Sequence, residues 1–129
     1  FGLMEPLRQA IAQGLPAFGT CAGMILLAKE IEGSNQTRIG LMDIKVKRNA
    51  YGSQLDSFVT ELKVKGLKKP LPAVFIRAPR IESLAKEVDV LASYQDHPVL
   101  VRENHLLAAS FHPELTDSVE LHRYFIQML

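Results

Sequence analysis

Residues 15–31, LPAFGTCAGMILLAKEI, constrain the fold more than any other stretch of the chain. A short apolar run bounded by glycine suits a buried strand. Beyond the glycines, Met24, Leu27, Ala28 and Ile31 recur at helical spacing, which predicts a helix over residues 22–31 ended by Gly33-Ser34-Asn35. A buried strand that turns at once into a helix belongs to an α/β sheet with at least one face covered. The one cysteine of the chain, Cys21, stands at the turn between them.

The rest of the pattern agrees. Leu3, Leu7, Ala10 and Ile11 predict an opening helix, stopped by Gly14 and Pro16. The middle of the chain predicts strands with one wet face, Ile44 and Val46 alternating with Lys45 and Lys47, and Leu62 and Val64 with Lys63 and Lys65. AVFIRAP is a further apolar run ending at Pro79. VDVLASYQDHPVLVREN reads as two strands joined through Gln95-Asp96-His97-Pro98, and HLLAASFHPEL as another strand that ends in ionisable residues. Residues 117–129 predict a closing amphipathic helix, with Thr116 or Asp117 available as cap. A chain of 129 residues without repeats or low-complexity segments gives one domain, 1–129.

Charge gives no direction towards nucleic acid. Fifteen basic and fourteen acidic residues leave +1, and the clusters Lys45, Lys47, Arg48 and Lys63, Lys65, Lys68, Lys69 read as solvated faces, not interleaved with stacking aromatics. An unpaired cysteine fits a reducing compartment. With no apolar run long enough to cross a bilayer, the expectation is a cytoplasmic protein without nucleic-acid or membrane partners. No second ligand cluster with metal spacing joins His112 and Glu114, so neither metal nor cofactor is expected.

G-T-C-A-G has the form G-x-nucleophile-x-G. Gly19 and Gly23 let neighbouring backbone approach a sharp strand-to-helix turn, and the turn lifts the Cys21 Sγ above the sheet edge. The N–H groups and dipole of the following helix are expected to favour thiolate, and the Ala22 N–H to serve as an oxyanion donor. Alone, the pattern also suits a structural cysteine. A second constellation, SFHPEL, places His112 after an apolar strand and Glu114 two residues on, a base and its orienter for acyl transfer. His97, His105 and His122 read as interaction or surface residues.

GLPAFGTCAGMILLAKEI, KRNAYGSQLDSF, FIRAP and LLAASFHPEL, in that order, resemble the class I glutamine amidotransferases, and within them the glutaminase subunits of pyridoxal 5'-phosphate synthases. The resemblance spans the chain. It implies a three-layer, flavodoxin-like α/β domain, and an enzyme whose Cys21 attacks the side-chain amide of L-glutamine. A γ-glutamyl thioester forms, ammonia leaves and water then releases glutamate, with His112 and Glu114 completing the triad. It implies a (β/α)8-barrel synthase partner that receives the ammonia within a large hetero-oligomer. Arg48, Asn49, Tyr51, Gln54 and Arg77 fall where that family places residues beside the substrate or the partner, although Ser53 replaces a frequent arginine. The family also carries first strands and a glycine-rich GGES segment, the second oxyanion donor, ahead of the position matched by Phe1. The numbered chain is therefore expected to be N-terminally incomplete. Two alternatives remain at this point: another thiol-dependent hydrolase of the same fold, or a non-catalytic docking module.

Overall fold

A computed structural model describes residues 2–48 and 57–129. Four strands form its centre in the order β1-β9-β8-β7, with β1 at Ala17–Thr20, β9 at Leu106–Ala109, β8 at His97–Glu103 and β7 at Asp89–Tyr94. β1 runs parallel to β9, in register from Ala17 opposite Leu106 to Thr20 opposite Ala109. β9 pairs antiparallel with β8, and β8 with β7. All four β9 residues are buried, as expected for a strand covered on both faces.

The alternation of side chains along β8 and β9 divides the interior into two cores. Val101, Leu106 and Ala108 face one, with Ile11 of α1 (Met4–Ala12) and Met24 and Leu27 of α2 (Ala22–Leu27). The sheet β2-β3-β6 closes that side, with β2 at Ala28–Ile31, β3 at Met42–Lys47 and β6 at Arg80–Leu84. Leu100, Leu107 and Ala109 face the other core, against Leu62 of β4 (Ser57–Leu62), Phe75 of β5 (Leu71–Ile76) and Leu121 of α3 (Glu120–Gln127). The result is the three-layer mixed α/β arrangement expected.

Local readings differ in places. The helix expected over residues 22–31 stops at Leu27, and residues 28–31 form β2 instead. Ala28 and Ile31 are buried while Lys29 and Glu30 are exposed, a spacing that a helix and a short strand satisfy equally. Pairing decides: Ala28 lies opposite Met42 and Ile31 opposite Val46, while the amides of Ile39 and Gly40 donate to the Leu26 carbonyl and close the helix. β6, which shows no apolar alternation, is held by its antiparallel pairing with β3.

The β7–β8 hairpin turns on Gln95 and Asp96 alone, both at positive φ (49° and 67°), while His97 and Pro98 already belong to β8. The closing helix begins at Glu120, and neither Thr116 nor Asp117 caps it. Thr116 Oγ1 accepts instead from the Ser118 amide, and Ser118 Oγ from the Glu120 amide at 3.4 Å. Lys47, Arg48, Lys63, Lys65, Lys68 and Lys69 are exposed, and Lys47 and Lys65 pair with Glu32 and Asp89.

Candidate active site

β1 ends at Thr20 and α2 begins at Ala22, so a single residue makes the bend. That residue, Cys21, has φ 53° and ψ −107°, a conformation an L side chain adopts at a cost of about 1–3 kcal/mol. Its N–H donates to the Ala109 carbonyl at 2.8 Å, prolonging the β1–β9 ladder, and its carbonyl accepts from the Ile25 amide at 3.3 Å. Gly19 makes the bend possible. A Cβ there would lie 2.5 Å from the Gly23 carbonyl oxygen and 2.6 Å from its carbon. Gly23 itself has open space where a Cβ would stand, so only the first of the two glycines is sterically required.

The Cys21 thiol is half-buried and lies 3.8 Å from the carbonyl oxygen of Ile76, to which it donates. The expected preference for thiolate is not what its surroundings impose. Burial pushes the thiol above its ordinary range, the Ala22 N–H works the other way, and the charge of Glu114 raises it further. With only six residues, α2 supplies little dipole against that desolvation. The Ala22 N–H lies close enough to the sulfur to favour its ionised form.

His112 leaves β9 through Ser110 and Phe111, both fully buried, and donates its own N–H to the Val74 carbonyl at 2.8 Å. Pro113 opens a 3-10 turn, Pro113–Leu115, which brings Glu114 back over the imidazole. Nδ1 of His112 stands 2.7 Å from Oε2 of Glu114. A carboxylate there fixes the proton on Nδ1 and leaves Nε2 with its lone pair, the tautomer a general base requires. Among the described residues Nε2 has no hydrogen-bond partner. Burial opposes ionisation of Glu114, but the His112 hydrogen bond, its own backbone N–H, and the charges of His112 and His122 together hold its carboxyl below the usual range.

Cys21 and His112 thus meet on β5, one through Ile76 and the other through Val74. Carbonyls two residues apart on a strand point the same way, roughly 7 Å from each other. Neither of these β5 residues stands out in the sequence, because a backbone carbonyl leaves no mark there. Arg77 follows at φ 44°, exposed and, among the described residues, without an ion pair or hydrogen bond. Arg48 follows β3 on the surface and donates to the Gln36 side-chain oxygen; no described contact joins it to Cys21. Asn49, Tyr51 and Gln54 lie outside the described residues.

The remaining histidines divide. His105 Nε2 reaches the Ile11 carbonyl at 2.6 Å and ties α1 to β9. His97 opens β8, and His122 lies exposed on α3, its ring against Phe18. Among the described residues no cluster of histidine, cysteine and carboxylates could hold a metal ion, and no helix is long and apolar enough to cross a membrane.

The SNO glutamine amidotransferase family matches residues 1–129. The chain is 53% identical over 128 residues to the pyridoxal 5'-phosphate synthase subunit PdxT of Fervidobacterium nodosum, covering 99% of this chain and 67% of that protein. It is 59% identical to the PdxT subunit of Carboxydothermus hydrogenoformans, again over 128 residues, covering 98% of this chain and 67% of the relative. A crystal structure described as a glutamine amidotransferase superposes with a TM-score of 0.95 at 48% identity, covering 99% of this chain and 68% of that one.

Proposed function

The chain belongs to the SNO glutamine amidotransferase family, and we propose that it is a glutaminase that hydrolyses L-glutamine at Cys21, His112 and Glu114 for a pyridoxal 5'-phosphate synthase. The observation that carries this reading is the convergence on β5, where the thiol of Cys21 and the backbone of His112 rest on the Ile76 and Val74 carbonyls.

Nε2 of His112 takes the thiol proton, and Sγ attacks the Cδ carbon of the glutamine side chain. The carbonyl oxygen becomes an oxyanion beside the Ala22 N–H. Glu114 holds the imidazolium through the 2.7 Å contact to Nδ1. The imidazolium returns its proton to the departing nitrogen, so ammonia leaves and a γ-glutamyl thioester remains. Water, deprotonated by Nε2, then attacks the thioester; glutamate is released and the thiol restored.

A thiol kept protonated by burial suits an enzyme whose nucleophile forms only when the base accepts its proton. It also keeps the free cysteine from side reactions. Arg77, which follows Ile76 and has no ion pair or hydrogen bond among the described residues, binds the α-carboxylate of glutamine in this reading. Arg48, with the neighbouring Asn49, Tyr51 and Gln54, contributes to substrate or partner contacts. The partner is a (β/α)8-barrel synthase subunit that takes the ammonia directly within a hetero-oligomer.

Two nitrogen sources test the reading on the assembled synthase. Cys21→Ala abolishes product formation from glutamine and leaves formation from added ammonia intact. Equal loss with both sources would make Cys21 structural, and unchanged use of glutamine would remove it from the reaction.

A further inference from the structure

The lysines between β4 and β5 have no part in the reaction above, yet two of them border a cavity. About 440 Å³ opens between residues 66–69 and α3, with Leu67, Lys68 and Lys69 on one wall and Arg123, Tyr124 and Gln127 on the other. Among the described residues neither Lys68 nor Lys69 has an ion pair or a side-chain hydrogen bond. Arg123 meets Glu120 at 3.1 Å through Nη1, which leaves the fork of Nε and Nη2 without a partner among the described residues. Glu120 lines the cavity too, so three cations face one carboxylate.

Both walls are anchored. The Lys65 N–H donates to the Leu91 carbonyl at 2.8 Å and its ammonium pairs with Asp89 at 3.2 Å, which holds the start of the turn to β7. Gly66, at φ 91°, then brings the chain against α3, where a Cβ would lie 3.9 Å from Tyr124 Cε2. On the far wall Arg102 donates through Nη1 to the Tyr124 hydroxyl at 3.1 Å and through Nε to the Asn104 carbonyl at 3.0 Å. The hydroxyl is thereby oriented with its own proton still to give, and no described residue accepts it.

We infer that this cavity binds a phosphate group, either free or carried on a small ester. Lys68, Lys69 and Arg123 supply the charge that a dianion needs, and the Nε–Nη2 edge of Arg123 matches two phosphate oxygens at once. Tyr124 and Gln127 add neutral donors. Leu67 and the Tyr124 ring offer an apolar surface for the organic part of an ester, in a cavity large enough for a small ligand. None of these residues serves the chemistry at Cys21, so the inference stands apart from the glutaminase reading.

The test is calorimetric titration of the full natural chain at low ionic strength with inorganic phosphate and, separately, with phenyl phosphate. Both bind. Phenyl phosphate binding the tighter assigns an organic ester, and equal affinities assign the free ion. Lys68→Ala and Lys69→Ala each raise Kd about tenfold, the loss of one charge-assisted hydrogen bond. Tyr124→Phe, which keeps the ring and loses the donor, raises it by a smaller factor. Unliganded melting temperatures of the lysine variants stay near wild type, because both side chains are exposed. Lys63→Ala removes an exposed lysine outside the cavity and leaves Kd unchanged. Absence of binding with both probes would overturn the inference. An equal weakening in Lys63→Ala would also overturn it, reducing the effect to general attraction by a basic face. Cys21→Ala binds both probes as wild type does, whichever way the glutaminase assignment falls.

Discussion

The backbone N–H of Cys21 donates to the carbonyl of Ala109 at 2.8 Å, one step beyond the last paired residues of β1 and β9. Parallel pairing therefore delivers the Cys21 bend and the His112 segment to the same end of the same two strands, which no turn chemistry alone could do.

That ladder depends on Gly19. Gly19→Ala forces a Cβ into the backbone of Gly23 and close to Leu27 Cδ1, at 2.9 Å, and should destabilise the protein by about 1–3 kcal/mol with loss of glutaminase activity. Gly23→Ala, entering open space, should leave the melting temperature near wild type. Paired thermal melts decide. Equal losses in both variants would contradict the asymmetry.

Strain at Cys21 makes a separate prediction. With φ at 53°, Cys21→Gly should be more stable than Cys21→Ala by about 1 kcal/mol, although neither can hydrolyse glutamine. Denaturant unfolding of the two variants measures the difference directly, and an alanine variant as stable as the glycine one would show that the bend relaxes.

Half of the candidate site was legible from residue types. A cysteine between glycines, and a histidine followed two residues on by glutamate, named three side chains and the strand–turn–helix that holds the first. The steric need at Gly19 could be read from the motif, but its absence at Gly23 depends on which way a neighbouring carbonyl points. The thiolate preference misled because it weighed the N–H groups of α2 and ignored burial, which a sequence does not display. Likewise Ala28–Ile31 carries an apolar spacing that fits two structures, and only β3, more than ten residues later, selects the strand. The β5 carbonyls that seat Cys21 and His112 were invisible for a simpler reason: every residue has one.

The charge of Glu114 raises the Cys21 thiol, so Glu114→Gln should shift the pH dependence of Cys21 alkylation by iodoacetamide to lower pH while glutamine turnover falls. Alkylation rates against pH check this. A shift to higher pH would mean that Glu114 acts on the thiol chiefly through His112.

Glu114 itself is held below the usual carboxylate range, and the sign of its contribution to stability follows. It is fully present above the ordinary glutamate value of about 4.3 and is lost as pH falls through the lower folded-state value. Half the side chain is exposed, so screening keeps the contribution under about 1 kcal/mol. Unfolding free energies of wild type and Glu114→Gln should differ slightly at neutral pH and converge as the solution is acidified below that range. A gap that widens on acidification would contradict the assignment.

The most direct test is peptide mass spectrometry after the assembled enzyme is treated with a diazo-ketone analogue of glutamine. The account predicts a single adduct on the peptide carrying Cys21, suppressed by excess glutamine and missing from Cys21→Ala. Glutamine hydrolysis that continues while Cys21 remains unlabelled, or an adduct on another residue, would contradict the assignment of Cys21 as the nucleophile.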